Sequence, residues 1–273
     1  MKASEKILNK INNGFHICVG LDSDPDKIPP HLRATDLPIL RFNKEIIDAT
    51  KHGAAAYKLN FAFYESLGVE GISILKETVN YIPDEILIIG DAKRGDIGNT
   101  STMYAKAIFD ILGFDAVTLN PYMGEDSVIP FLNYKEKLSF ILALTSNKSS
   151  SDFEKLRLEN GKYLFQEVIQ KVRIWDNSGN CGIVFGATNL EELKSNIIDF
   201  GDLMVLIPGI GAQGGSVEEV VSVFNETNNK NFLLNISRSL IYSDTSTRFS
   251  DIVTLRINDY NQKIKQIFSQ NYR

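Results

Sequence analysis

Residues 86–100 read ILIIGDAKRGDIGNT. A short apolar run rich in isoleucine ends at Gly90, and Asp91, Lys93 and Asp96 follow within six positions. Unbroken apolarity over a strand's length is how a strand covered on both faces of a parallel sheet reads. Asp91 and Lys93 are two residues apart, so an extended chain would point both side chains to one face. An acid and a base aimed at one spot could be surface decoration, a metal cradle or a catalytic charge array.

The same kind of run recurs along the chain. Strands are expected at 16–21 (HICVGL), 55–60, 86–91 and 115–119, and again at 139–145, 181–186, 203–208 and 231–236. Helical spacing of apolar residues marks 37–51, 66–82, 100–113, 154–175, 189–200, 216–227 and a long closing segment at 249–270. Eight strands alternating with helices predict an α/β fold, a (β/α)8 TIM barrel of one domain over residues 1–273. A doubly wound sheet is the competitor, because strand order is not visible in sequence. Irregular stretches at 22–36 and 146–154 follow strands one and five and would overhang the C-terminal face of a barrel.

Of 273 residues 43% are hydrophobic and 23% charged, which is ordinary globular composition. The formal net charge is −5 and there is no Lys/Arg block, so neither nucleic acid nor an anionic membrane is an expected partner. The N-terminus lacks the apolar core of a signal peptide, and no apolar run reaches spanning length. Two isolated cysteines, Cys18 and Cys181, fit buried packing positions in a reducing cytoplasm.

A barrel takes its chemistry from strand C-termini. Here those ends carry Asp22, then Lys58 and Asn60, then Asp91 and Lys93 with Asp96 behind, then Thr145 and Ser146. Each alone has a bland reading, as a turn or cap residue for an aspartate and a solvated stem for a lysine. Together, two lysines and three aspartates at adjacent strand ends would hold one another ionised. The stretch PGIGAQGG (208–215) contains G-x-G-x-x-G, but no acid follows about 20 residues on, so the dinucleotide reading fails. A phosphate site suits it better, with Pro208, Gly209, Gly211 and Gln213 after strand seven and Arg238 after strand eight. His16, His31 and His52 show no ligand spacing, and Lys58 and Lys93 would repel a magnesium ion held by Asp22 and Asp91, so no metal is expected.

Taken as a set, DAKRGDIGNT (91–100) preceded by GLD and YKLN and followed by PGIGAQGG and NISRSL resembles the orotidine 5'-monophosphate decarboxylase family, over about residues 15–242. With VTLNPYMGED (117–126) it looks like the longer bacterial branch. The resemblance implies cofactor-free conversion of orotidine 5'-monophosphate to uridine 5'-monophosphate (UMP) and carbon dioxide, the last step of de novo UMP synthesis. It implies that Lys93 protonates C6 of the pyrimidine, that Asp91 lies near the leaving carboxylate, and that Lys58 sits between the carboxylates and the ribose. It further implies a homodimer in which Asp96 and Thr100 reach the neighbour's site. Asp22 and Asn60 would meet the ribose, Thr145 and Ser146 the pyrimidine edge, and Gln213 and Arg238 the phosphate. Members with histidine at the position of Asn60 differ from this chain. A magnesium-dependent sugar-phosphate enzyme and a catalytically inert nucleotide sensor are the rival readings.

Overall fold

The computed structural model describes residues 1–270. Eight parallel strands close on themselves in chain order, each hydrogen-bonded to the next and β8 to β1. They are β1 (Ile17–Gly20), β2 (Ala56–Asn60), β3 (Leu87–Arg94), β4 (Ala116–Leu119), β5 (Leu138–Leu144), β6 (Cys181–Phe185), β7 (Met204–Ile207) and β8 (Phe232–Ile236). The order removes the doubly wound alternative, which has open edges. Every strand lies where the apolar runs predict it. β3 alone overruns its expected end, by three residues, and carries Lys93 with it.

The period of two sorts the strand residues into two cores. Cys18, Ala56, Ile89, Ala116, Phe140, Val184, Leu206 and Leu233 point inward and fill the barrel. Their neighbours, among them Val19, Tyr57, Ile88, Val117, Ile183, Val205 and Leu234, point outward under the helices. Burial of each large aliphatic or aromatic side chain contributes roughly 1.5–3 kcal/mol. The covering helices include Pro38–Thr50, Gly68–Tyr81, Gly98–Lys106, Leu164–Trp175, Val217–Glu226 and Phe249–Gln270.

One local expectation is corrected, and two helices form where none was expected. The helix expected at 154–175 begins only at Leu164, where Tyr163 N–H donates to Gln166 Oε1 at the helix start. Before it, Arg157 pairs antiparallel with Tyr163 around Asn160 and Gly161, the latter at φ 81°. An Asn-Gly turn thus overrides the helical spacing upstream of it. A helix Glu125–Leu132 forms although Pro130 lies inside it. The N-terminus forms a helix, Ala3–Asn12, whose Ala3, Ile7 and Ile11 close the end of the barrel remote from the charged strand ends.

His16 is buried, stacked on Phe232 at 4.3 Å between centroids and facing Phe268 at 5.6 Å. Nδ1–H donates to the Phe232 carbonyl at 3.1 Å. Burial pushes its pKa down from 6.5 to about 4, against the carbonyl's pull upward and with help from the Lys230 charge. Below the ordinary value the unfolded chain takes up a proton that the folded chain refuses. Stability is therefore lost as pH falls from about 6.5 toward 4, by about 3 kcal/mol in all. Urea unfolding of the native protein and of His16→Phe at pH 7.5 and pH 4.5 checks this. The native protein is expected to lose about 2–3 kcal/mol more than the variant between the two pH values, and equal losses would contradict it.

Candidate active site

The C-terminal ends of the strands surround a cleft of about 460 Å³. Its floor carries an alternating chain of charges from three adjacent strands. Lys58 Nζ lies 3.0 Å from Asp91 Oδ2 and 3.4 Å from Asp22 Oδ1, and Lys93 Nζ lies 2.6 Å from Asp91 Oδ1. Barrel register explains the meeting. Gly20 pairs with Lys58 and Asn60 pairs with Asp91, so consecutive strands deliver their ends at one height.

Lys93 reaches Asp91 by a different route from the regular alternation that the spacing suggests. Its backbone lies in the left-handed region, at φ 45°, and the β3–β4 register shifts between Gly90 and Arg94. A left-handed lysine is strained by about 1–3 kcal/mol unless its surroundings hold it there. Thr118 does so. Lys93 N–H donates to Thr118 Oγ1 at 3.0 Å, and Thr118 O–H donates to Asp91 Oδ1 at 2.9 Å. One hydroxyl thus ties backbone to carboxylate. Thr118 went unmarked in the sequence because a threonine in an apolar strand is an ordinary β-former; its inward position in β4 was the available signal.

The electrostatics follow from burial and pairing. Burial by itself would raise the Asp91 pKa, but the charges and hydrogen bonds of Lys58 and Lys93 outweigh it and hold the carboxyl well below the usual range. Burial by itself would lower Lys58, and the Asp22 and Asp91 charges outweigh that and push it above its usual value. Lys58 is almost wholly enclosed, whereas the Lys93 side chain is 50% exposed and opens on the cleft.

Asn60, Thr145, Ser146, Pro208, Gly209, Gln213 and Arg238 also line the cleft, as expected. Some are partly committed elsewhere. Asn60 Oδ1 caps the short helix Phe61–Glu65 through Ala62 N–H, at 3.2 Å. Thr145 is held by Glu154, which accepts from its N–H at 2.7 Å and its hydroxyl at 2.8 Å. Ser146 O–H donates to Gln213 Oε1 at 2.5 Å, joining the β5 and β7 ends and leaving the Gln213 amide hydrogens for a ligand. Gly209, Gly211 and Gly214 have φ of 98°, 72° and 94°, a turn that side chains would strain. Arg238 is exposed and its side chain makes no hydrogen bond or ion pair among the described residues.

Asp96, Thr100 and Gly211 lie outside the lining of this cleft. Asp96 Oδ1 accepts only the adjacent Ile97 N–H, at 2.8 Å, and no cation faces it among the described residues. Gly211 instead packs on Ser239, whose Oγ would lie 2.7 Å from a Cβ there. Lys27, Phe63, Leu142, Asn147, Val184, Leu206, Ile210, Ala212, Asn235 and Ser237 complete the lining and were not expected.

Residues 16–248 match the family described as "Orotidine 5'-phosphate decarboxylase / HUMPS". The chain belongs to this family. A Porphyromonas gingivalis protein named orotidine 5'-phosphate decarboxylase is 50% identical over 238 residues, 86% of each chain. One of the same name from Flavobacterium johnsoniae is 44% identical over 271 residues, 98% of this chain and 97% of that one. Among solved structures, the Leishmania donovani OMP decarboxylase superposes with a TM-score of 0.81 at 33% identity, covering 96% of this chain and 99% of that one.

Thr118→Val deletes the hydroxyl that serves both Asp91 and the Lys93 N–H. It is expected to destabilise the protein by about 1–3 kcal/mol, the loss for polar groups left unpaired in a largely buried site. Thr118→Ser, which keeps the hydroxyl, should stay within about 1 kcal/mol of the native value. Urea unfolding of both variants measures this, and equal losses would show that the hydroxyl does not carry the link.

Proposed function

We propose that this member of the orotidine 5'-phosphate decarboxylase family decarboxylates its substrate without a cofactor, with Lys93 as the proton donor to C6. The observation that carries the reading is the charge chain Asp22–Lys58–Asp91–Lys93 on the cleft floor. Breaking the bond from C6 to the carboxylate leaves an electron pair on C6 with no adjacent sink. The Lys93 ammonium, fixed by Asp91 and facing the cleft, stabilises that pair and then donates its proton to it. Carbon dioxide leaves, and the lysine regains a proton from solvent. A substrate carboxylate beside Asp91 is also repelled. Two unit charges about 4 Å apart interact by about 4 kcal/mol at an effective dielectric of 20, and departure of carbon dioxide relieves this.

The other end of the nucleotide falls to Gln213, the glycine turn and the unpaired Arg238. Phosphate binding there supplies the energy that orients the pyrimidine and excludes water from the floor. Asp22 and Asn60 are assigned to the ribose, and Thr145 and Ser146 to the pyrimidine edge. A metal is not part of the reading, because Lys58, Lys93 and Thr118 already occupy both oxygens of Asp91. The two thiols, buried and unpaired at Cys18 and Cys181, support a cytoplasmic enzyme.

The reading includes a homodimer in which Asp96 and Thr100 complete the partner's site. Asp96 has no cation facing it among the described residues, and the segments that follow β3 and β4 expose apolar side chains: Ile97 and Met103, with Tyr122 at 81% and Met123 at 49% exposure. Such a surface beside an unfinished site suits a self-complementary interface.

Ultraviolet absorbance of the protein with orotidine 5'-monophosphate tests the activity. Turnover is expected with and without EDTA; dependence on metal would overturn the cofactor-free reading. Lys93→Ala should abolish turnover with little loss of UMP affinity, and near-normal turnover would refute the proton donor. Arg238→Ala should mainly raise KM. Mixing Lys93→Ala with Asp96→Ala, each inactive alone, should restore about a quarter of native activity through mixed dimers with one intact site; no recovery would contradict the shared site.

A further inference from the structure

The inward positions of the uppermost barrel layer form the cleft floor, and they are of two kinds. Lys58, Asp91 and Thr118 make a polar arc on β2–β4, and Leu142, Val184 and Leu206 make an apolar arc on β5–β7. Asn235 on β8 breaks the apolar side. It stands one inward step above Leu233, a barrel-core residue, and three residues before Arg238.

Asn235 is only 7% exposed, yet its side chain makes no hydrogen bond among the described residues. Its Oδ1 is enclosed without a partner, and so is Ser237 Oγ just above it. Both oxygens pack against the Gly20 backbone of β1, while the residues themselves line the cleft. The Asn235 amide nitrogen is not among the enclosed unpartnered atoms and is the polar atom left for a ligand. A Cβ at Gly20 would lie 2.7 Å from Ser237 Cβ and 3.3 Å from Asn235 Oδ1, so only glycine lets the end of β8 approach β1 this closely. Unpaired polar atoms in a nearly sealed layer destabilise the empty protein by themselves. Thr118 and Lys58, in the same layer, are fully engaged with their neighbours.

Position narrows the partner. β8 carries Asn235 below Arg238, and β1 separates β8 from Lys58 on β2. Asn235 therefore lies on the arc between the phosphate end and the reacting end of the cleft. The part of a nucleotide spanning that arc is the sugar, common to substrate and product. We propose that Asn235 is a substrate-binding residue whose carboxamide pairs, from the cleft wall, with the ribose side of the bound nucleotide. This rests on the nucleotide reading of the cleft given above.

The test uses Asn235→Leu, close in shape and without polar atoms, with Asn235→Ala as a second variant in case leucine does not pack. Calorimetric UMP affinity, steady-state kcat and KM, and the melting temperature of the unliganded protein are measured together. UMP affinity and kcat/KM should both fall about ten- to a hundredfold, the effect of one lost buried hydrogen bond. The melting temperature should stay level or rise, since an unpaired polar group is removed. Kinetics and affinity within twofold of native would overturn the proposal. A parallel fall in melting temperature would overturn it too, showing a structural role. Lower kcat with unchanged UMP affinity would also overturn it, moving the contact to the leaving carboxylate. If the native protein itself bound UMP but did not turn over orotidine 5'-monophosphate, the functional reading would fail while the affinity comparison still judged Asn235.

Discussion

Asp91 held between two ammonium groups is the constraint on which the rest of the site depends. Two carboxylates, Asp22 and Asp91, share the site with the two lysines, so removing either lysine would leave an uncompensated negative charge in a largely buried array. With Lys58 on one oxygen and Lys93 on the other, and Asp22 behind Lys58, charges alternate along the floor and each keeps its neighbour ionised. The arrangement also fixes geometry. It needs Lys93 turned back on Asp91, which a regular strand would not do, and the turn is supported by the single hydroxyl of Thr118.

The surroundings make those charges effective. Beneath the floor lie Cys18, Ala56, Ile89, Ala116, Phe140 and Leu233, an apolar plug closed at the far end by the helix Ala3–Asn12. The floor opens to solvent at the cleft, where Gln213, Gly209 and Arg238 also stand. A ligand filling the cleft would lower the local dielectric around Lys93, and interactions that are weak in water would strengthen. Barrel packing and catalytic electrostatics are thus one design: the core that stabilises the fold also dries the floor.

Much of this was legible residue by residue. The strands could be read because parallel strands covered on both faces are apolar throughout, and the Asp91, Lys93, Lys58 and Asp22 side chains could be singled out because charges at such strand ends have few other uses. What escaped had weaker signals. The Asn160–Gly161 turn cut short a helix that apolar spacing alone had extended, and Pro130 masked another. Thr118 and Asn235 are single polar residues inside apolar strands, the pattern that also describes an innocent packing position.

By itself the sequence determined the number of strands and their places along the chain, the loops that carry glycines, and which charged residues close which strand, because periodicity and local chain chemistry are properties of neighbours. The order of the strands in the sheet came from the fold. Only the tertiary structure decided which of those charges meet. Asp22, Lys58 and Asp91 come together because the closed barrel brings three strands into register, whereas Asp96, five residues from Asp91, is turned out of the cleft. Contacts between residues far apart in the chain are set by packing and register, and those depend on the whole barrel closing at once.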